Sequence, residues 1–194
     1  MNFLAHIYLS GEDDMVRIGN FAADGIRGNR YKTYPENMQK GILLHRAIDT
    51  YTDAHPIVRQ STRRLHMGYS HYSSVVIDIF YDHFLAKNWQ VYAGLPLPDY
   101  AENFYHVLNR YWTLLPERTQ YLAPFMIRDN WLVAYASMKG IAKVLHQMNR
   151  RTRFPSKINY AVLDLDEYYE EFEDEFNLFF PELIQYSQQK LQFL

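Results

Sequence analysis

Two aspartates and a histidine lie inside one of the most apolar stretches of the chain, residues 75–85, VVIDIFYDHFL. At about 100° per residue, apolar side chains cover every side of this segment, which predicts a helix buried all round. Asp78 and Asp82 are four residues apart, so they project from one side of that helix, and His83 follows them. Because a buried, unpaired carboxylate is costly, each must be paired, hydrogen-bonded or bound to a metal ion. The segment is therefore a first candidate for the chemistry of this protein.

A second segment, residues 41–56 (GILLHRAIDTYTDAHP), carries His45, Asp49 and Asp53 at positions i, i+4 and i+8. On a helix these three side chains fall within about 80° of arc, and Arg46 lies beside Asp53 on that face. A histidine and an aspartate one turn apart can ligate the same metal ion, since both project the same way. The alternative is that these residues are only the solvated side of an amphipathic helix.

Two further candidates precede this segment. His6 lies in the apolar run NFLAHIYL, where it is either a ligand or a core histidine whose hydrogen bonds are satisfied within the protein. Asp24 lies in GNFAADGIRGN, three residues before Arg27. The alternative there is a surface ion pair, which contributes little to stability. Neither stretch has the spacing of a dinucleotide-binding or phosphate-binding loop.

The candidate ligands come from four predicted helices, and a helical bundle can bring such side chains to one interior site. The set is His6, Asp24, His45, Asp49, Asp82 and His83. Nitrogen and oxygen ligands without sulfur suit Mn²⁺, Mg²⁺, Fe²⁺ or Zn²⁺. Such an ion polarises a phosphoryl oxygen and activates water, and Arg27 or Arg46 could neutralise phosphate charge.

Apolar residues recur at helical spacing over nearly the whole chain, and no alternating strand pattern of useful length is present. We therefore predict an all-α fold, a single-domain helical bundle spanning residues 1–194. Pro181 is expected to bend or split the last helix, because proline removes a helix hydrogen bond. The predicted helices cover residues 2–9, 13–27, 36–54, 56–66, 71–92, 98–114, 129–149 and 164–190.

The composition restricts where such a protein works. Among the 194 residues there is no cysteine, which excludes a disulfide framework and a thiolate metal site. No run of about eighteen apolar residues is present, so we predict no membrane-spanning helix and no membrane partner. The N-terminal stretch has no basic region before its apolar residues, and we interpret it as part of the fold and not as a signal peptide. The expected location is the cytoplasm.

Charge is unevenly distributed, although the net charge is only −2. Residues 17–64 hold nine basic and four acidic side chains, whereas residues 164–182 hold nine acidic side chains and no Lys or Arg. A basic half of this kind can attract an acidic partner; the alternative is two ordinary solvated helix faces. The near-neutral total and the acidic C-terminal segment argue against a nucleic-acid partner.

Four motifs, in their order along the chain, resemble the acyl carrier protein phosphodiesterase family: NFLAH, GNFAADGIRG, GILLHRAIDTYTDAHP followed by Arg59, and YDHFLAKNW. The resemblance extends over nearly the whole chain. It implies a Mn²⁺-dependent enzyme, with Mg²⁺ or Fe²⁺ as alternative ions. Such an enzyme hydrolyses the phosphodiester between 4′-phosphopantetheine and a serine of holo-acyl carrier protein, which gives the apo-protein and 4′-phosphopantetheine.

The same resemblance implies a distant relationship to the HD-domain phosphohydrolases and an HD-domain-like bundle. Asp24 matches the aspartate regarded as essential in the family. HD enzymes use an adjacent His-Asp pair, which this sequence lacks; Asp82 and His83 stand in the reverse order, and His45 lies one turn before Asp49. The implied catalytic set is Asp24, His45, Arg46, Asp49 and Asp82.

The implied mechanism is attack of activated water on phosphorus, in line with the departing serine oxygen, with metal charge and Arg46 or Arg27 stabilising the transition state. Acyl carrier proteins are small and acidic, so the basic segment becomes the expected docking face. Its predicted substrate-binding residues are Arg27, Arg59, Arg63 and Arg64. Two other functions stay open at this point: an HD-like hydrolase of a nucleotide or another small phosphoester, and a non-enzymatic all-α binding module.

Overall fold

The computed structural model describes residues 1–150 and 156–194, and over these residues the chain is helical without strands. None of the helices in this described part is both long and apolar enough to cross a membrane. The all-α prediction is confirmed. The α-helices, joined by short turns of which several are 3₁₀, are α1 (Phe3–Tyr8), α2 (Asp14–Ala22), α3 (Glu36–Ala54), α4 (Pro56–Tyr69), α5 (Ser73–Lys87), α6 (Trp89–Tyr92), α7 (Leu97–Arg110), α8 (Glu117–Arg128), α9 (Trp131–Ala134), α10 (Met138–Asn149), α11 (Ala161–Glu167) and α12 (Tyr169–Gln192).

Local sequence signals explain where the helices around the site begin. Asn2 caps α1, since its side-chain oxygen accepts a hydrogen bond from Phe3 N. Asp13 caps α2 by accepting hydrogen bonds from two backbone N–H groups of the first turn. α4 begins with Pro56, a residue suited to the first helical position because its missing N–H is not needed there. α3 has the bounds that apolar spacing predicts.

Two prolines lie within helices. α8 was not among the predicted helices, and it contains Pro124. α12 continues through Pro181, so a split at that residue is wrong; the break comes at Tyr168, between α11 and α12. Both prolines are exposed. Each therefore stands on the solvated side of its helix, where water can satisfy the carbonyl that loses its helix donor.

Other predicted helices are interrupted by turns. The predicted helix 13–27 ends at Ala22, and a 3₁₀ turn, Ala23–Gly25, then carries Asp24. Turns likewise divide the predicted helices 71–92 and 129–149. The consequence for the site is that Asp24 lies on a turn and not on a helix face.

α5 is the central helix of the bundle, as its all-round apolar pattern predicts, and α1, α4, α10 and α12 pack against it. Phe80 and Phe84 of α5 are fully buried. Their rings contact Phe172 and Phe176 of α12, with centroid separations of 5.2 Å and 5.9 Å. The aromatic side of the acidic C-terminal helix therefore closes the core around α5.

Two glycines allow α2 and α3 to pack with their backbones nearly in contact. A Cβ atom at Gly41 would lie 2.1 Å from Val16 O, and one at Gly19 would lie 2.2 Å from Met38 O, so no larger residue fits without displacing the helices. This close approach places the polar side chains of α2 directly against those of α3, beside the N-terminal helix α1.

Candidate metal centre

Two histidines and an aspartate meet where α1 and α3 converge; we call His6, His45 and Asp49 the His–Asp cluster. His6 Nε2 lies 3.2 Å from Asp49 Oδ1, and His45 Nε2 lies 3.1 Å from Asp49 Oδ2. The two imidazole rings are stacked with their centroids 4.1 Å apart. One ligand atom from each residue lies within 4.8 Å of the others, close enough for a single ion to contact all three.

Asp24 lies at the open edge of the His–Asp cluster. The 3₁₀ turn after α2 brings its Oδ1 to 3.4 Å from His45 Nε2. Its side chain is 64% exposed, against 10% for His45 and 43% for Asp49. Asp24 is therefore the acidic neighbour of the cluster that a substrate can reach most directly.

Asn20, which the sequence did not single out, holds both imidazoles from the side away from Asp49. Its Oδ1 lies 2.8 Å from His6 Nδ1 and 3.2 Å from His45 Nδ1. Its Nδ2 donates to His6 O and to Ser10 Oγ, and the residue is fully buried. The signal that could have identified it is an asparagine inside the small and apolar stretch GNFAA, because a buried amide requires hydrogen-bond partners.

Electrostatic interactions make the cluster attractive to a cation. Burial opposes the charged form of His45, but hydrogen bonds to Asp24 and Asp49 outweigh burial and raise the pKa of His45 to about 9. Burial also acts to raise the pKa of Asp49, yet the two imidazoles hold that pKa well below its usual range. The pKa of His6 is lowered by burial and by its neighbour His45. A hydrogen bond with His45 is the main cause that lowers the pKa of Asp24.

The donor atoms of the cluster fit a divalent metal ion. Two imidazole nitrogens and a carboxylate are ligands that Mn²⁺, Fe²⁺ and Zn²⁺ accept, whereas Mg²⁺ prefers oxygen ligands and water. Three protein ligands leave coordination positions for water and substrate, as in catalytic metal sites. The cluster lines a cavity of about 260 Å³, which gives a ligand room beside it.

Asp82 lies outside the His–Asp cluster. It is fully buried on α5, and its carboxylate accepts hydrogen bonds from Leu4 N at 2.7 Å and Ala5 N at 3.2 Å in the first turn of α1. Burial raises the pKa of Asp82 to about 7. Asp82 therefore anchors the helix that carries His6, and the structure does not bring it to the other candidate ligands.

His83 is likewise separate, on another side of α5. Its Nδ1 lies 2.6 Å from Tyr135 O and its Nε2 lies 2.8 Å from Tyr169 OH. Both ring nitrogens thus have protein partners, and His83 connects α5 to α12 and to the end of α9. Of the six ligand candidates, His6, His45 and Asp49 form the His–Asp cluster and Asp24 adjoins it. Asp82 and His83 lie apart from it.

Arg46 organises the loop beside the cluster. Its Nη2 donates to Ile26 O at 3.0 Å and to Gly28 O at 2.8 Å, and its guanidinium lies over the Tyr31 ring. These contacts hold the chain that follows Asp24. Arg46 is therefore placed to position Asp24 by way of the backbone.

Asp53 and Asp78, whose roles the sequence left open, line the same cavity as the cluster. The amino nitrogen of Met1 lies 2.8 Å from Asp78 Oδ1. Burial and the nearby charges of Asp78 and Asp49 raise the pKa of Asp53. The cavity wall is thus strongly acidic beyond the His–Asp cluster itself.

Three of the four arginines expected to bind substrate, Arg27, Arg59 and Arg63, are exposed. Arg64 differs from them. Its guanidinium makes two hydrogen bonds to the buried Glu175, of 2.8 Å and 2.7 Å, which connect α4 to α12. Arg64 thus has a buried acidic partner. Arg59 donates from Nε to Asp53 O at 3.0 Å, while Arg27 and Arg63 are exposed.

Residues 1–183 match the acyl carrier protein phosphodiesterase family over nearly the whole chain. The chain belongs to the acyl carrier protein phosphodiesterase family. It is 34% identical to the acyl carrier protein phosphodiesterase of Photorhabdus laumondii over 191 residues, which cover 98% of this chain and 96% of the relative. The corresponding protein of Yersinia pestis is 32% identical over 191 residues, 98% of this chain and 99% of the relative. No solved structure is significantly similar.

Membership of the acyl carrier protein phosphodiesterase family confirms the resemblance that the sequence motifs indicated. The family consists of hydrolases that act on a phosphodiester linkage, so the prediction of an enzyme is confirmed as well. The His–Asp cluster, Asp24 and Asn20 all lie within the matched residues.

Proposed function

We propose that this chain hydrolyses the phosphodiester that joins 4′-phosphopantetheine to a serine of holo-acyl carrier protein. Water adds to phosphorus, the bond between phosphorus and the serine oxygen breaks, and that oxygen takes up a proton. The products are apo-acyl carrier protein and 4′-phosphopantetheine. The observation that supports this proposal most is a His–Asp cluster opening on a cavity in a chain of this family.

We propose that His6, His45 and Asp49 hold a divalent ion, Mn²⁺ or alternatively Mg²⁺ or Fe²⁺, with Asp24 beside it. When bound, such an ion stabilises negative charge on the phosphoryl oxygens and favours ionisation of water. Two imidazole ligands favour Mn²⁺ or Fe²⁺ over Mg²⁺. The acidic cavity wall around the cluster adds to the attraction for a cation.

The residues at the open edge have roles of their own in the proposal. Asp24 orients the attacking water and accepts its proton, because its carboxylate is the most exposed next to the cluster. Arg46 keeps Asp24 in place by binding the backbone of the following loop. Arg27, three residues after Asp24 and exposed, neutralises phosphate charge.

Docking of the acidic carrier protein is proposed to use the exposed arginines. Arg59 and Arg63 lie one turn apart on α4, the helix that follows α3, and both are exposed. Opposite charge on the two proteins speeds their encounter and fixes their orientation. Arg64 is left out of this face because Glu175 already binds it. A cytoplasmic location stays a prediction from the sequence.

The test is the intact mass of purified holo-acyl carrier protein after incubation with this protein and Mn²⁺, with a chelator control and an Asp24→Ala control. We expect loss of the 4′-phosphopantetheine mass only when metal and Asp24 are both present. An unchanged carrier mass, together with metal-dependent hydrolysis of bis(p-nitrophenyl) phosphate, would instead indicate a phosphohydrolase with another substrate.

A further inference from the structure

A second cavity, of about 560 Å³, opens beside the His–Asp cluster. It shares a wall with the smaller cavity that contains the cluster, since Asp24, Val75 and Asp78 line both. A substituent on a phosphorus atom held at the cluster can therefore extend directly into the second cavity. We call this second space the arm cavity.

The walls of the arm cavity suit a slender chain that has both alkyl and polar groups. Leu122 of α8, Met148 of α10 and Ile158 supply apolar surface among the described residues. Tyr72 and the exposed Arg118 add polar atoms. Its volume lies in the range of about 300–1,000 Å³ that is typical of small-molecule sites.

We propose that the arm cavity binds the non-protein arm of the substrate diester, the 4′-phosphopantetheine chain; this inference rests on the proposed function. A phosphodiester has two substituents, and a folded carrier protein is too large to enter a cavity of about 560 Å³. The arm alternates amide and alkyl segments, which match the mixed polar and apolar wall. The carrier protein then stays outside, towards the arginines of α4.

The test compares Leu122→Trp, which fills the arm cavity, with Leu178→Trp at an exposed position of α12. For Leu122→Trp we expect kcat/KM on holo-acyl carrier protein to fall about tenfold or more, while hydrolysis of methyl p-nitrophenyl phosphate, whose methyl substituent is too small to fill the cavity, stays near that of the wild type. Leu178→Trp should change neither reaction. Equal loss on both substrates, or no loss on either, would overturn the proposal.

A second measurement separates this inference from the proposed function. 4′-Phosphopantetheine should inhibit hydrolysis of bis(p-nitrophenyl) phosphate competitively in the wild type and much more weakly in Leu122→Trp. If the wild type left holo-acyl carrier protein intact, the proposed function would fail, but this inhibition would still decide whether the cavity binds the arm. Equal inhibition of both proteins would place the arm elsewhere.

An independent observation concerns Asn20, whose hydrogen bonds fix the orientation of its amide. Ser10 Oγ donates to His6 O at 2.7 Å, so it is free to accept from Asn20 Nδ2 at 2.8 Å. The other hydrogen of that amide goes to His6 O, 2.9 Å from Nδ2. Both amide hydrogens are thus used, and Oδ1 must be the atom that faces the imidazoles.

We further infer that Asn20 is a positioning residue that sets both histidines for metal binding. A carbonyl oxygen can only accept, so His6 Nδ1 and His45 Nδ1 must each carry a hydrogen. In a neutral ring the lone pair then lies on Nε2, and both Nε2 atoms face Asp49. One fully buried side chain therefore presents two nitrogen ligands to the same point.

The test is Mn²⁺ affinity, measured by calorimetric titration of Asn20→Ala against Asn37→Ala, an exposed asparagine of α3. We expect Asn20→Ala to lower the affinity about 10–100-fold, the usual effect of removing such a partner, and Asn37→Ala to leave it unchanged. Wild-type affinity in Asn20→Ala would overturn the inference.

The wild-type protein offers a measurement that does not depend on how well the variant folds. Nitrogen-15 shifts of the histidines in the Zn²⁺-loaded wild type should show hydrogen on Nδ1 of both His6 and His45. Hydrogen on Nε2 of either ring would contradict the assignment.

Discussion

His6, His45 and Asp49 lie at the edge of the bundle, where their ligand atoms face one another beside a cavity, whereas Asp82 and His83 lie on the central helix α5. Both regions place acids and histidines in apolar surroundings. In the centre, the Asp82 carboxylate meets two backbone N–H groups and both nitrogens of His83 have partners. At the edge, His6 Nε2 and His45 Nε2 both face the carboxylate of Asp49 beside the cavity.

The difference shows what separates a structural polar group from a ligand. A buried acid whose oxygens are matched by backbone donors contributes to the fold and gains nothing from an ion. Two imidazole nitrogens and a carboxylate that point at one another need a positive charge between them. The hydrogen bonds of Asp82 hold α1 against α5. In the His–Asp cluster, α1 instead places His6 next to Asp49.

Asp49→Ala should cause the largest loss of function, because it removes the carboxylate between the two imidazoles. We expect kcat/KM on holo-acyl carrier protein to fall by more than about 100-fold, beyond the usual loss for an outer partner of a metal site, and Mn²⁺ to stop raising the Tm. Thr50→Ala, at an exposed position of the same helix, is the control. A wild-type Mn²⁺-induced Tm shift in Asp49→Ala would place the ion elsewhere.

Asp82→Ala should affect stability instead, since it leaves Leu4 N and Ala5 N buried without acceptors. We expect a loss of about 1–3 kcal/mol in the free energy of unfolding for each unpaired group, measured by urea denaturation. The folded variant should keep kcat within a few-fold of wild type. If Asp82→Ala kept wild-type stability but lost activity, Asp82 would belong to the catalytic site, and the two regions would not differ in the way described.

The stability of the protein should also depend on the protonation of Asp82. Burial raises its pKa to about 7 in the folded protein, whereas an unfolded aspartate has a pKa of about 3.9. Between these values the folded state holds the extra proton, so the stabilisation from this residue is greatest below about pH 4 and falls as the pH rises towards 7. In Asp82→Asn the free energy of unfolding should lack this decrease between about pH 4 and 7. If the free energy of unfolding had the same pH profile in the variant and the wild type, the assignment of the pH dependence to Asp82 would be wrong.

The smallest effect should come from the arginines of α4. Arg63→Glu should weaken binding of holo-acyl carrier protein by about 1 kcal/mol or less, which raises KM a few-fold. The dependence of KM on salt concentration should become weaker, and the Tm should stay unchanged. Arg64→Glu should instead lower the Tm, because it places a second acid beside the buried Glu175. Equal effects of the two variants on KM, with no change in Tm, would put Arg64 on the docking face.

The helices were largely predictable because apolar spacing is a local signal. α3 was predicted with its observed bounds, and α5 was predicted to be buried all round. Errors came where proline was treated as a stop, as with α8, which contains Pro124, and with Pro181 inside α12. In both cases the proline lies on the exposed side of its helix, and that side is set by tertiary packing.

The candidate site was predictable in part. The spacing of His45 and Asp49 pointed to a shared ligand face, and the family motifs pointed to Asp24. Asn20 was missed because the sequence around a buried asparagine does not indicate which groups form its hydrogen bonds. Its partner His45 lies 25 residues away in the chain.

The sequence by itself determined the helical class, the family and a set of acids and histidines in apolar surroundings, since composition, spacing and motifs are all local. Only the tertiary structure decided which of them act together. Asp49 and Asp82 look alike in sequence, but the donors that satisfy Asp82 lie 77 and 78 residues away on α1. The close packing that Gly19 and Gly41 allow brings α2 against α3. Hydrogen-bond partners at such separations follow from how helices pack, which residue spacing does not encode.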